Sequence, residues 1–185
     1  MANNAERVLV AVTGSVYVGD ITDTLPTNST SAPSGFADLG YLSEDGFTEA
    51  TDVDSDEIVA WQNGTVVRRT ITSQAKTYEF TLIETKAAVL ELVRPGSDLA
   101  GSAGAYSMAV KAITAMRRAF IFDILDGDVH LRKIVPNAEI TDFGDIEYKN
   151  GEPISYPITI TAYPDDTDTV MYEYSDAADW DEDES

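Results

Sequence analysis

The chain has 185 residues, with 33 acidic side chains against 12 basic ones, one histidine, no cysteine and a formal net charge of −21. A size that suits one domain is large enough to bury a core without staples, and disulfides, thiolate chemistry and cysteine-ligated zinc are excluded. So acidic a surface disfavours general nucleic-acid binding, which neutralises phosphates with clustered Lys and Arg, and disfavours docking on anionic lipid.

The charge is segregated along the chain. Between Val8 and Val67 there are ten acidic residues and no basic one. From Arg68 to Lys149 eleven basic residues face eleven acidic ones, and from Pro164 onward ten acids stand without a base. The start, MANNAERVLVAV, has no cationic region of a secretory signal, and no stretch reaches transmembrane length. The chain is therefore expected to remain, at first, in the cytoplasm where it is made.

In chain order, Arg7–Val12 and Ser15–Val18 are β-branched runs that predict strands. Residues 19–35, GDITDTLPTNSTSAPSG, lack periodicity and predict the main part of a long polar loop spanning 19–46. Ile58–Trp61 and Val66–Thr72 flank Asn63-Gly64, a hairpin signal, and Tyr78, Phe80 and Leu82 alternate with polar residues. Ala88, Val89, Leu92 and Val93 recur at helical spacing within Glu84–Val93, with Pro95-Gly96 as the stop. Gly101–Gly104 predicts a flexible link. Tyr106, Met108, Val110 and Ala112 alternate, Arg117–Leu125 is a strong strand, and Asp126-Gly127 turns the chain back into Val129–Val135.

The last hairpin is the clearest. Ile154, Tyr156, Ile158, Ile160 and Ala162 share one face of its second arm. Its first arm puts Ile140, Ile146 and Tyr148 opposite Glu139, Asp145, Glu147 and Lys149, with a bulge at Phe143-Gly144 and a tight turn at Asn150-Gly151. Beyond Pro164 the acidic segment 165–185 predicts a disordered tail. Strands joined by Gly-containing turns, with one helix, predict a mainly β fold: residues 1–164 as a β-sandwich or small barrel carrying a packed α-helix.

Catalytic and metal chemistry is poorly represented. Asp52, Asp54 and Asp56 have the one-three-five spacing of an EF-hand loop, but Glu57 stands where glycine is needed and Asn63 where the bidentate Glu belongs. They read as an acidic loop. His130 alone cannot assemble a zinc site, and no nucleophile elbow is present, so no enzyme, metal or cofactor is expected. Asn28-Ser-Thr30 and Asn63-Gly-Thr65 match the glycosylation pattern, which without a secretion signal is coincidence. Arg68-Arg69, Arg117-Arg118 and Arg132-Lys133 are basic pairs on strands, where one of each pair can face an acid across a subunit boundary or simply meet solvent.

Several pieces occur together in a particular order: Val16-Tyr17-Val18, Gly35-Phe36, Leu39-Gly40-Tyr41, Ser43-Glu44-Asp45-Gly46, Ala60-Trp61-Gln62, the stretch FTLIETKAAVLELV at 80–93, and the hairpin at 136–165. In that order and spacing the chain resembles the major tail tube proteins of long-tailed, non-contractile bacteriophages, from about residue 8 to 165. The resemblance implies a structural virion protein of the tail, assembled in the host cytoplasm, whose hexameric rings stack into the conduit through which DNA leaves. It implies inner sheets joined into a continuous barrel, and bridging between rings by the N-terminal arm and the 19–46 loop. Leu25, Pro26, Phe36, Leu39, Tyr41, Arg68 and Arg117 are the contact candidates, and Glu139, Asp145 and Glu147 the candidates to face the lumen. Partners implied are further copies of itself, tape-measure, tail-tip and terminator proteins, and assembly chaperones, with DNA passing unbound. The alternative is an acidic β-sandwich adhesin or decoration domain that holds a glycan or a capsid. A DNA-mimic inhibitor would suit the charge but not the hairpins.

Overall fold

Antiparallel pairing of strands with a two-residue repeat accounts for nearly every element. The structure, a computed structural model, describes residues 8–102 and 104–177. In chain order it forms β1 (Thr13–Gly19), β2 (Ala37–Asp38), β3 (Leu42–Val59), β4 (Val66–Leu82), α1 (Ala87–Val93), β5 (Leu99–Ser102), β6 (Ala105–Met108), β7 (Arg117–Asp126), β8 (Val129–Phe143), β9 (Tyr156–Ala162) and β10 (Tyr172–Ser175). The mainly β expectation holds, and among the described residues α1 is the one helix. The main sheet runs β2-β1-β7-β8-β9-β4-β3, with β10 on β8, while β5 and β6 form a separate ribbon. Its two ends, β2 and β3, do not pair with each other, so the sheet is an open, folded one and not a barrel.

How sharply it folds follows from its aromatic contacts. In a flat sheet β7 and β4 lie three strand spacings apart, roughly 14 Å. Yet the Tyr78 and Phe122 rings stack with centroids 5.0 Å apart, Phe47 meets Phe122 at 4.8 Å, and Phe80 meets Phe120 edge-on at 6.3 Å. The two halves of the sheet therefore close on one another like a sandwich. The crease is in β8: its pairing with β7 skips from Phe120↔Val135 to Arg118↔Ala138, and Pro136, which has no N–H to give, sits in that bulge. Val89 and Leu92 of α1 join the same buried cluster.

Several sequence expectations are corrected. Residues 8–12 are not a strand: Val8, Val10 and Val12 stay exposed beside the end of β7 (Arg7 lies outside the described residues). The helix starts at Ala87 instead of Glu84, Gly101 of the expected link is a strand residue of β5, and the strand that follows, β6, ends at Met108 and not at Ala112. The irregular segment ends at Phe36, because β2 and then β3 begin well before residue 46. In the last hairpin the bulge falls between Ile140 and Asp142, not at Phe143-Gly144. Residues 144–155 are then a loop that contains Asn150-Gly151, so Ile146 and Tyr148 are not strand residues. The second arm alternates as expected, with Tyr156, Ile158, Ile160 and Ala162 buried. Local alternation without a partner strand is the reason the first arm misled.

The acidic tail also differs. Asp165 accepts hydrogen bonds from Thr167 and Thr169 and, at 2.7 Å, from the Tyr172 hydroxyl, and β10 then pairs along Leu131–Ile134 of β8. Asp176 closes this segment, accepting from the His130 backbone N–H at 2.6 Å and lying 2.8 Å from His130 Nδ1. Residues 178–185 lie outside the described part. The hydrogen bonds from Thr167 and Tyr172 pull the Asp165 carboxyl from 3.8 down to about 2. A depressed pKa stabilises the fold above the unfolded value and is lost as pH falls through the folded one. Amide hydrogen exchange at Tyr172–Ser175 should therefore accelerate as pH drops from about 4 to about 2, after correction for intrinsic exchange. Asp165→Asn should bring that faster exchange to neutral pH.

Candidate assembly surface

β3 and β4 stay paired from Leu42↔Leu82 to Val59↔Val66, and the turn between them is closed by Asn63 and Gly64, both at positive φ. β9 supports β4 only from Lys76 to Leu82. At about 3.4 Å per residue, Val66–Ala75 carries the turn roughly 34 Å past the last β9 pair. What leaves the body is a bare two-stranded ribbon.

Its two faces differ in chemistry. By the alternation of β3, Phe47, Glu49, Thr51, Val53, Ser55, Glu57 and Val59 share the core-side face with their partners Phe80, Tyr78, Lys76, Gln74, Ile71, Arg69 and Val66. Inside the body that face is aromatic and buried. Outside it continues as Val53, Ile71, Val59 and Val66, each about half exposed or more. The other face carries Asp52, Asp54 and Asp56 at every second position, followed by the half-exposed Ile58. The expected acidic loop is thus the middle of a strand, with three carboxylates spread along one side. Among the described residues no group of three or more His, Cys, Asp or Glu side chains gathers to hold a metal ion.

The root of the ribbon is held by charge. Glu49 lies in the core-side row with Tyr78 and Ile160. Its carboxylate meets Lys76 at 2.5 Å and Lys133 at 3.0 Å, and Lys133 also reaches Glu173 of β10 at 3.3 Å. Burial alone would raise the Glu49 pKa, but the two ammonium groups outweigh it and hold the carboxyl below its usual range. Burial likewise opposes the charge on Lys133, and Glu49 and Glu173 overcome it, so its pKa rises. Four strands, β3, β4, β8 and β10, meet in this cluster.

The outer face of the same half-sheet forms rows across the strands. Thr48, Glu79, Thr159 and Asp142 make one, and Ala50, Thr77, Thr161 and Glu139 the next. Threonine and carboxylate dominate, with no Lys or Arg from these four strands in either row. Of the three lumen candidates, Glu139 lies here, whereas Asp145 and Glu147 sit in the 144–155 loop, Glu147 against Lys149 at 2.5 Å.

The contact candidates scatter. Leu25, Pro26 and Phe36 are half-buried in the irregular segment, and Tyr41 is 76% exposed just before β3. Leu39 is fully buried; its side chain is core and is withdrawn from any contact surface. Arg68 is exposed near the ribbon tip. Arg117 is engaged within the chain, 3.4 Å from Glu139 and stacked 3.7 Å over the Tyr163 ring. Arg132 also turns inward: it grips Asp123 through two hydrogen bonds of 2.6 and 2.7 Å, and donates to the carbonyls of Asn28 and Ser31, pinning the irregular segment to the sheet. Sequence reasoning missed the ionic root and this tie. Acids and bases on strands that otherwise read as core were the available signal.

The sheet is open and its longest hairpin is an unsupported ribbon with exposed apolar side chains. Residues 1–180 match the profile of the phage tail tube protein family, and the chain belongs to that family. Its fold is similar to a chain of the sheath-tube complex of an extracellular contractile injection system, PVC, in the extended state. The TM-score is 0.56 at 9% identity, covering 92% of this chain and 94% of that one. It also resembles a chain of the PVC sheath/tube terminator, with TM-score 0.50, 10% identity and coverages of 92% and 99%. No curated protein matches.

If the ionic cluster fixes the ribbon, Glu49→Gln should leave Lys76 and Lys133 without their shared counter-charge and cost about 2 kcal/mol. Urea unfolding measures the loss, and hydrogen exchange in the ribbon should rise more than in β7.

Proposed function

We propose that this chain is the structural subunit of a phage tail tube, non-catalytic, closing into hexameric rings that stack and conduct DNA. The observation that carries the reading is the ribbon. A lone two-stranded hairpin is marginal in water, and an exposed apolar stripe of this kind marks an interface. A neighbouring copy that covers Val53, Val59, Val66 and Ile71 supplies the missing layer. The free edge of β3 invites strand-to-strand closure of the ring, and repetition along the axis makes the tube. Family membership supports the same role. Tape-measure, tail-tip and terminator proteins are the axial partners this role requires, with chaperoned assembly in the host cytoplasm and the virion tail as the final location.

In this reading the threonine and carboxylate rows face the bore. Glu139 keeps its place there, joined by Glu79 and Asp142, and Asp145 and Glu147 lie off the wall. Screening confines their repulsion of DNA to about 8 Å at physiological salt, so the wall discourages sticking without barring passage.

Negative-stain microscopy and light scattering of the purified protein, dilute and concentrated, test the first claim: rings or hollow tubes are expected, and a monomer at every concentration would refute it. Val59→Asp with Ile71→Asp should abolish tubes while changing monomer stability by less than about 1 kcal/mol, since both sites are exposed. For the bore, Glu79→Lys, Glu139→Lys and Asp142→Lys together should slow DNA ejection from particles whose tails look normal. Unaltered ejection would remove these residues from the wall.

A further inference from the structure

Trp61 is 98% exposed at the tip of the ribbon. An indole held out into water on a long lever has no role within its own subunit. Elsewhere on the molecule lies a cleft of about 260 Å³ between α1, the ends of β1 and β8, and the segment before β7. Val18, Leu92, Ile113, Met116 and Phe143 are among its walls, and Asp20, Asp23, Glu91 and Arg118 stand at the same site. Arg118 is already paired with Asp20 at 3.1 Å, which leaves the cleft net acidic.

We propose that Trp61 of one subunit seats in this cleft on a second copy of the chain. The inference rests on the tube reading and specifies one of its contacts. Three observations fit together. The cleft is of the size and apolar character that accepts one aromatic side chain, and Trp is the residue most often found anchoring an interface. The tip from Ile58 to Arg68 contains no carboxylate and one guanidinium, so it complements the acidic rim. The donor and acceptor surfaces lie on different parts of the molecule, so each copy gives one tip and receives one. Such a head-to-tail contact propagates instead of ending at a dimer.

The absence of cysteine from the chain makes the test direct. Gln62→Cys with Glu91→Cys in the same chain, assembled into tubes and treated with a short bifunctional thiol reagent, should give a ladder of multimers on a denaturing gel. Either single variant should give none. Trp61→Ala should raise the concentration needed for assembly by about tenfold or more, with the monomer's melting temperature unchanged. Tubes that form normally from Trp61→Ala, or double-cysteine tubes that yield only monomer, would overturn the docking and leave the tube reading standing. Failure of the unaltered chain to assemble at any concentration would overturn both.

Discussion

The β3–β4 ribbon stays paired well beyond the point where any third strand supports it, through two register shifts at Asp54/Ser55 and Ile58/Val59, and the rest of the molecule is arranged around the place where it leaves. On the body side, Tyr78 and Phe80 of β4 press on Phe120 and Phe122 of β7, and that contact folds the sheet over. From the row of Tyr78 outward, the apolar core gives way to Glu49, Lys76, Lys133 and Glu173. A charged cluster is an expensive thing to half-bury, and hydrophobic residues of similar volume would often hold as well. What ions add is direction: the carboxylate must lie between two specific ammonium groups, so the ribbon is fixed in angle as well as in register.

The strand chemistry of the body was legible in the sequence. Alternation from Tyr156 to Ala162, the run from Arg117 to Leu125, and the helical spacing of Val89 and Leu92 all became buried faces. Burial writes the pattern, on one face in β9 and α1 and on both faces at Ala119–Phe122 of β7, so burial is what the pattern reveals. Where burial is absent the signal fails. β3 from Asp52 to Glu57 is strand with one register shift, exposed on nearly every side, and without a buried face it reads as an acidic loop. The converse error fell on residues 8–12, an apolar run that makes one backbone hydrogen bond to the end of β7 and stays exposed, and on 146–148, which lie in a loop. β10 escaped for a third reason: four residues among many acids are held by Asp165, Asp176 and Lys133, contacts made at a distance in sequence.

The surface candidates show the same limit. Glu139 lies in the rows of threonine and carboxylate because β8 still pairs with β9 there. Two residues after the Asp142 pairing the chain departs into a loop, and Asp145 and Glu147 go with it. Leu39 was chosen for its place in a motif whose first residue fills the core while Tyr41, two residues on, is exposed. The family signature recorded where the chain is constrained without saying whether the constraint is packing or contact.

The ribbon also explains how one strand serves two surfaces. Period-two geometry sends adjacent residues to opposite sides, so Val53 and Val59 belong to one face while Asp52, Asp54 and Asp56 belong to the other. An apolar stripe by itself would recruit any sheet edge and aggregate. The carboxylates on its back repel a second ribbon that approaches acid face to acid face, and the register with Arg68 and Arg69 puts the basic charge nearer the tip. The apolar and acidic surfaces are thereby largely separated, though Ile58 lies on the acidic side and the Glu57–Arg69 pair on the apolar one. A uniformly charged subunit would stay soluble without assembling, and a uniformly apolar one would assemble without order; in the proposed tube, alternation within a single strand would let this chain avoid both.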